Sequence, residues 1–350
     1  MKVLVTGANG HIGCHVVKQL QDDGHEVRAF VRPNSDRRGL EGLSPELAEG
    51  DIRDANAVSK AATGVDAIIH MAAVYKTMGA DADSIVEPAI QGAKAVFNAA
   101  REHGIQRVVY TRSVASVGFS YDPQTMLTSR DWNTDPHNPY YLAKTRSEQT
   151  AQSLAKEYGV ELVVICPAIV MGPLDYRITP SNQLVKDWLN GVGQTYRGGL
   201  NLVDVRDVAQ GHVAALTRGQ PGGRYIVGGE NIEVREIGRL LKEMTGTKPI
   251  HLGTGRGLTL WTAKWVERIC RLFGIKPPFT YDLVYEVVER YAYIDMSEAR
   301  EALGLTPRSA RETLRDTIAW LLQQEQLKPA LARRLESDFQ LESSAEKARS

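Results

Sequence analysis

Two residues into the chain the strand-like run VLVT begins, and it breaks at once into TGANGHIG, Thr6 to Gly13, followed by an amphipathic stretch. No other segment restricts the fold as much. Between a strand and a helix, Gly7 permits a tight turn, Gly10 lets a ligand approach the backbone, and Gly13 lets the helix pack on the strand. Small residues leave backbone N–H groups free at a helix N-terminus, where a diphosphate gains from the donors and from the partial positive charge. A glycine triplet alone is a weak signal, but in a first strand–turn–helix unit it is specific. Gly7, Asn9, Gly10, His11, Ile12 and Gly13 are therefore the expected phosphate cradle of a dinucleotide site.

EVRAFV, AIIH, RVVYT and ELVVIC are further short apolar or β-branched runs. Amphipathic stretches such as Ala89–Ala100 and Leu142–Tyr158 separate most of them. Strands spaced by helical crossovers imply a parallel sheet with helices on both faces. The expected fold class is α/β, a doubly wound parallel sheet of Rossmann type with a smaller C-terminal substrate lobe. Residues 1–166 are expected to form the dinucleotide domain, with 200–228 returning to it, and 167–323 the substrate lobe. Pro167–Gly199 reads as irregular with one helix near LVKDWLN, and RYIV as a strand. DVRDVAQGHVAAL, IEVREIGRLLKEMTG and SARETLRDTIAWLL read as helices, the last opened by a Ser309/Glu312 capping box. Residues 324–350 carry five acids and five bases and read as a charged, solvated tail.

Composition mostly excludes. Forty-two acids balance forty-two bases in 350 residues, so no broad basic field invites nucleic acid. Cys14, Cys166 and Cys270 are too few and too scattered for a disulfide framework or a cysteine zinc site, which suits a reducing cytoplasm. His11, His15, His25 and His70 lack metal-ligand spacing, so no metal is expected. No apolar run approaches the roughly 20 residues of a membrane span. MKVLVTGANG is too short for a signal peptide and carries a motif that cleavage would destroy.

An acid closing the second strand would bond the ribose 2′-OH of NAD. Here the strand ends at Val31 and is followed by Arg32, Arg37 and Arg38. Guanidinium groups suit a 2′-phosphate, so the reading is NADP(H), with Arg32 the main contact and Arg37 beside it. Three solvated loop arginines are the alternative. Further on, Tyr140 and Lys144 lie four apart in PYYLAKTRSE, which places both on one helix face. A nearby ammonium lowers a phenol's pKa from about 10 and makes it a usable acid/base. Ser113, after the fifth strand, can hydrogen-bond a substrate oxygen.

At this point the chain resembles the extended short-chain dehydrogenase/reductases. TGANGHIG, GDIRD (Gly50–Asp54), HMAA (His70–Ala73), Ser113 and Tyr140-x-x-x-Lys144 carry the resemblance, which spans residues 1–323. It implies that Asp51 and Ile52 flank the adenine and that Ala72 and Ala73 wall the pyrophosphate and ribose. It also implies that Tyr140 is the acid/base, that Lys144 holds the nicotinamide ribose, and that Ser113 orients the substrate oxygen. Arg112 stands where many members have a second serine and is not expected to touch the triplet. EPAIQG (Glu87–Gly92) and CPAIVMGP (Cys166–Pro173) are similar to the dihydroflavonol and cinnamoyl-CoA reductase group, with Pro167 and Ile169 on the cofactor side. Cys166-Pro167 replaces the asparagine usual in sugar-nucleotide epimerases. LNLVDVRDVAQGHVAAL, GGENIEV and LGLTPRSARETLRDTIAWL also resemble bacterial proteins labelled hopanoid-associated sugar epimerases.

Tyr75, Met78, Met126, Trp132, Tyr176, Trp188 and Tyr196 are candidates for a substrate wall. Such a wall suits an apolar or aromatic carbonyl compound better than a nucleotide sugar, which Arg177 and Arg197 keep open. The expected activity is NADPH-dependent reduction of a ketone or aldehyde of a small apolar, aromatic or steroid-like substrate. A sugar epimerase/dehydratase and an NADPH-sensing protein are the rivals. From Arg256 to Lys276, apolar residues recur at helical spacing with five bases and Glu267. A lid packed on the lobe is the expectation, and a peripheral membrane helix the alternative. The family's long helices near 84–103 and 139–158 leave monomer and homodimer both open.

Overall fold

The computed structural model describes residues 1–72, 83–136, 139–275, 277 and 279–336. Ala73, Tyr75, Met78 and Lys276 lie outside the described residues, as does 337–350.

The expected alternation is present. β1 (Lys2–Thr6), α1 (His11–Asp22), β2 (Glu26–Val31), β3 (Glu46–Glu49), α2 (Ala55–Ala62) and β4 (Ala67–His70) build the first half. α3 (Asp83–Glu102), β5 (Arg107–Thr111), α4 (Pro139–Tyr158) and β6 (Glu161–Pro167) continue it. β7 (Ile169–Met171), α5 (Pro180–Leu189), β8 (Gln194–Tyr196) and β9 (Gly199–Asp204) follow, then α6 (Val205–Thr217), β10 (Arg224–Val227) and β11 (Glu230–Glu233). The chain continues through α7 (Val234–Thr245), β12 (Ile250–Leu252), α8 (Arg256–Leu272), α9 (Tyr281–Val287), α10 (Ser297–Leu303) and α11 (Ala310–Gln323).

Seven strands form one parallel sheet in the order β10-β6-β5-β4-β1-β2-β3. Val3, Leu4 and Val5 of β1 and all four residues of β4 are buried on both faces, as strands covered by helices on each side must be. The order reverses between β1 and β4, the position where a doubly wound sheet opens a crevice at its carboxyl edge. RYIV enters this sheet as β10, in register with β6 from Arg224 opposite Val164 to Val227 opposite Pro167.

A second core gathers Met171, Val185, Leu202, Ile237, Leu314 and Ile318 between α5, α7, α11 and the sheet β11-β9-β7. α7 ends on Gly246 in the left-handed region, and Ser309 caps α11 by accepting the Glu312 N–H. Three expectations change here. The stretch after Pro167 holds the expected helix as α5, but it is less irregular than expected, because it also supplies β7 and β8. Trp188 is no substrate wall but lies buried in this second core, its indole N–H donating to the Gln194 carbonyl at 3.1 Å. The described part of the tail is not solvated either, since Leu327, Leu331 and Leu335 insert into the same core.

Candidate active site

Most of the expected site residues that are described lie in turns at the carboxyl edge of the large sheet, whereas Tyr140 and Lys144 lie on α4 and Ile169 opens β7. At β1, Gly7 sits at φ +74° with its Cα so close to β4 that an added Cβ would lie 2.9 Å from the Ala72 nitrogen. A Cβ on Gly13 would lie 2.2 Å from the Gly7 carbonyl oxygen. The cradle therefore has no room for side chains at either position. α1 starts after Gly10 with no capping side chain and no acid in its first turn, so its leading N–H groups remain available for an anion. A diphosphate fits such a cradle.

Thr6 stitches β1 to the next turn. Its hydroxyl oxygen accepts the N–H groups of Met71 and Ala72 at 3.2 Å each and lies 2.7 Å from His70 Nδ1. Burial holds His70 neutral, its pKa pushed down to about 3, with the charges of Arg112 and Lys144 adding to the effect. His11 does not direct its ring to the cradle: Nε2 meets the Pro173 carbonyl at 3.0 Å, as His15 Nε2 does at 3.1 Å.

The loop after β2 differs from the expected cluster of unopposed arginines. Arg37 pairs with Glu49 of β3, and Arg38 pairs with Asp36 at 2.7 Å while lying 4.7 Å over the Tyr176 ring. Only Arg32 of the three forms no ion pair among the described residues. Asn9 reaches from the cradle to this loop, donating to Ser35 Oγ at 2.9 Å and to the Asp36 carbonyl at 2.7 Å. Ser35 in turn donates to the Arg32 carbonyl at 2.6 Å. Sequence reasoning missed Ser35, for which Asn9 was the available clue. Asp51, at the next strand end, is engaged by Arg53 at 2.7 and 2.8 Å, which holds its carboxyl down at about 2. Ile52 packs where a Cβ on Gly92 of α3 would touch it at 3.3 Å.

On α4, Tyr140 and Lys144 are both buried, and Lys144 Nζ lies 5.4 Å from the Tyr140 ring centroid. The i,i+4 spacing thus brings the pair together. Burial, then the Arg112 charge, pushes the Lys144 pKa down to about 7. Ser113 caps a short 3₁₀ turn (Val114–Ser116) by accepting the Ala115 N–H at 3.2 Å, a role that leaves its own proton to be donated. Two ties fix this turn against α4. Arg112 donates to Ser147 Oγ, and Ser116 Oγ donates to Glu148 Oε2 at 2.6 Å. Arg112 makes no bond to Ser113, Tyr140 or Lys144 among the described residues, yet its charge reaches Lys144. Its guanidinium lies 3.8 Å over the Tyr110 ring.

Glu148 also pairs with Arg224 of β10, which donates to the Ser129 and Asp131 carbonyls at 2.7 and 2.8 Å and lies 4.4 Å over Trp132. Nothing in the sequence singled out either residue. Pro167 closes β6 in the core beside this network, and Ile169 opens β7 opposite Leu202. Cys14 and Cys166 are buried thiols whose pKa burial pushes up to about 12.

On the lobe side, burial raises the Tyr141 and Tyr196 phenols, with the Glu286 charge adding at Tyr141. Tyr176 is displaced from the expected wall, because it stands edge-on to Trp320 at 4.9 Å beneath Arg38. Met126 is exposed, and Arg197 faces Glu289 at 3.3 Å. Arg290, absent from the sequence reading, lies 3.3 Å over Phe119 and pairs with Glu286 at 2.7 Å.

Sheet order, cradle and the Tyr140–Lys144 pair agree with the comparisons with known proteins, which make the chain an NAD(P)-dependent oxidoreductase of the extended short-chain dehydrogenase/reductase type. Residues 3–228 match the NAD dependent epimerase/dehydratase family, and the chain belongs to that family. It is 32% identical over 326 residues to sterol demethylase protein B of Methylococcus capsulatus, covering 91% of this chain and 98% of that one. Cinnamoyl-CoA reductase 1 of Petunia hybrida is 34% identical over 265 residues, 71% of this chain and 78% of the relative. Among solved structures, gox2253 superposes with a TM-score of 0.82 at 32% identity, covering 93% of this chain and 99% of its own.

Proposed function

We propose that this chain reduces a ketone or aldehyde of an apolar, aromatic or steroid-like substrate with NADPH. The observation that carries the reading is the buried Tyr140–Lys144 pair on α4, held against the Ser113 turn at the carboxyl edge of the sheet.

A bound NADPH supplies hydride to the carbonyl carbon. Gly7, Asn9, Gly10, Ile12, Gly13 and the His11 N–H would hold its diphosphate, and Asp51 and Ile52 would flank the adenine. Ala72 and Ala73 would wall the ribose, with Pro167 and Ile169 on the nicotinamide side. Arg32, with Ser35 beside it, would meet the 2′-phosphate, while Arg37 steadies the loop through Glu49. Tyr140 gives its phenolic proton to the developing alkoxide, Lys144 stabilises the phenolate left behind, and Ser113 donates to the same oxygen. Oxidation of a secondary alcohol runs through the same groups in reverse.

Support for the substrate class comes from the aromatic lobe, with Phe119, Tyr121 and Tyr285 stacked about Arg290. The sterol and cinnamoyl-CoA names of the two relatives agree with it. NADPH absorbance followed against aryl aldehydes, dihydroflavonols, 3-oxosteroids and nucleotide sugars tests the reading. Net consumption with one of the first three classes is expected; turnover of a nucleotide sugar without net consumption would instead establish an epimerase. Tyr140→Phe should abolish turnover with NADPH affinity nearly intact, and retained turnover refutes the assigned role.

A further inference from the structure

Exposed apolar surface is concentrated in one place. Of fourteen large hydrophobic side chains left exposed among the described residues, seven come from α8 and the turn after it. Leu258, Trp261, Trp265, Ile269 and Leu272 are 46–77% exposed. Their spacing of three, four, four and three residues puts all five on one stripe of the helix. Lys264, Arg268 and Arg271 are exposed along one flank of that stripe, with the Arg268 guanidinium 5.8 Å over the Trp265 ring.

The opposite face of α8 already has its partners. Ala263 is buried against Val284 and Val288, and Arg256 donates to the Tyr285 carbonyl at 2.9 Å and to that of Val288. Glu267, the helix's one acid, accepts the Tyr281 N–H at 3.0 Å and the Arg271 guanidinium at 3.2 Å. The helix is thus fixed by its inner face and offers solvent a stripe of tryptophan and aliphatic groups edged with cations. A packed lid would have hidden that stripe, so the lid expectation fails in this respect. No helix among the described residues is long and apolar enough to cross a membrane.

We propose that α8 lays this face into the headgroup boundary of an anionic bilayer. An apolar protein groove would answer the stripe and leave Lys264 and Arg268 unmatched, whereas anionic lipid answers both. Tryptophan at the edge of an apolar stripe, flanked by lysine and arginine, is the composition of helices that lie in the interfacial plane. Tyr196 packs with the inner face of α8. Docking therefore leaves α8 and Tyr196 between the bilayer and the lobe beside the candidate catalytic helix. The choice of an apolar, membrane-dissolved substrate rests on the proposed reductase function; the docking itself does not.

The full-length chain is co-sedimented with vesicles of phosphatidylcholine alone, and with vesicles containing phosphatidylcholine and phosphatidylglycerol in equal parts. Binding to the second set, weakened by salt, is expected. Lys264→Gln, Arg268→Gln and Arg271→Gln should each weaken it about fivefold. The double variant Trp261→Ser/Trp265→Ser should lose it, with an unchanged far-ultraviolet circular dichroism spectrum because both side chains are exposed. No sedimentation with anionic vesicles overturns the proposal. So does equal, salt-insensitive binding to both vesicle types, or full binding by the tryptophan variant. A wild-type dimer that this variant converts to monomer also overturns it, by showing that a second copy covers the stripe. NADPH turnover, read separately, distinguishes failure of docking from failure of the reductase reading.

Discussion

Replacing Lys144 by methionine should stabilise the protein while abolishing its proposed chemistry. Burial, reinforced by Arg112, moves the Lys144 pKa from 10.5 to about 7. At about 1.4 kcal/mol per unit, the protonated amine is about 5 kcal/mol less favourable in the folded chain than in the unfolded one. The folded pKa is the lower one, so between pH 7 and 10.5 the unfolded chain binds the extra proton and stability rises with pH. Below pH 7 both states are protonated and the full cost is present. Linkage gives a wild-type gain of about 2 kcal/mol from this group between pH 7 and 9. Methionine has similar length and no ammonium to desolvate. Lys144→Met should therefore exceed the wild type by a few kcal/mol at pH 6, with the difference shrinking by about 2 kcal/mol between pH 7 and 9. Urea unfolding of both proteins in steps across that window measures this. Parallel curves would refute the reasoning, since they would mean that the amine titrates alike folded and unfolded.

Gly13→Ala is expected to lose at least tenfold in NADP(H) affinity and about 2 kcal/mol of stability. Its Cβ would meet the Gly7 oxygen at 2.2 Å and the Ala8 carbonyl at 2.8 Å, both backbone atoms, and fluorescence titration with thermal melting checks both effects. Arg32→Ala should weaken NADP binding about tenfold to a hundredfold, the worth of a charge-assisted phosphate contact, and leave NAD binding within about twofold. Equal effects on the two dinucleotides would reassign the 2′-phosphate contact.

What the sequence disclosed follows from range. The cradle and the Tyr140–Lys144 pair are local, set by glycine spacing and by one helical turn, and both are legible without tertiary contacts. β3 (ELAE) was missed because an edge strand with two acids carries no apolar signal and exists through its pairing with β2. The Arg224–Glu148 pair joins positions 76 residues apart, and only the return of β10 beside β6 creates it. Trp188 and α8 fail in complementary ways. Aromatic content and helical period were both read correctly, but neither specifies which face meets protein, and the structure buries Trp188 and exposes Trp261. Leu327, Leu331 and Leu335 repeat every four residues, a helical core face masked in the reading by the charges around it.

The even charge balance of the whole chain also conceals how charge is placed inside it. Arg112, Lys144 and Arg224 are all buried about α4, and Glu148 is the carboxylate paired within that group. Arg112 finds the Thr111 carbonyl, the Ser147 hydroxyl and the Tyr110 ring rather than an acid. Burial first, and then the positive charge of Arg112, bring the Lys144 pKa down to about 7. The same positive charge favours any negative charge that arrives there. A phenolate on Tyr140 or an alkoxide beside Ser113 would gain from cations that need no reorganisation when the charge develops. Arg112→Ser, which restores the second serine, should therefore move the Lys144 pKa upward, part of the way back toward 10.5, because it removes the Arg112 charge and leaves the burial.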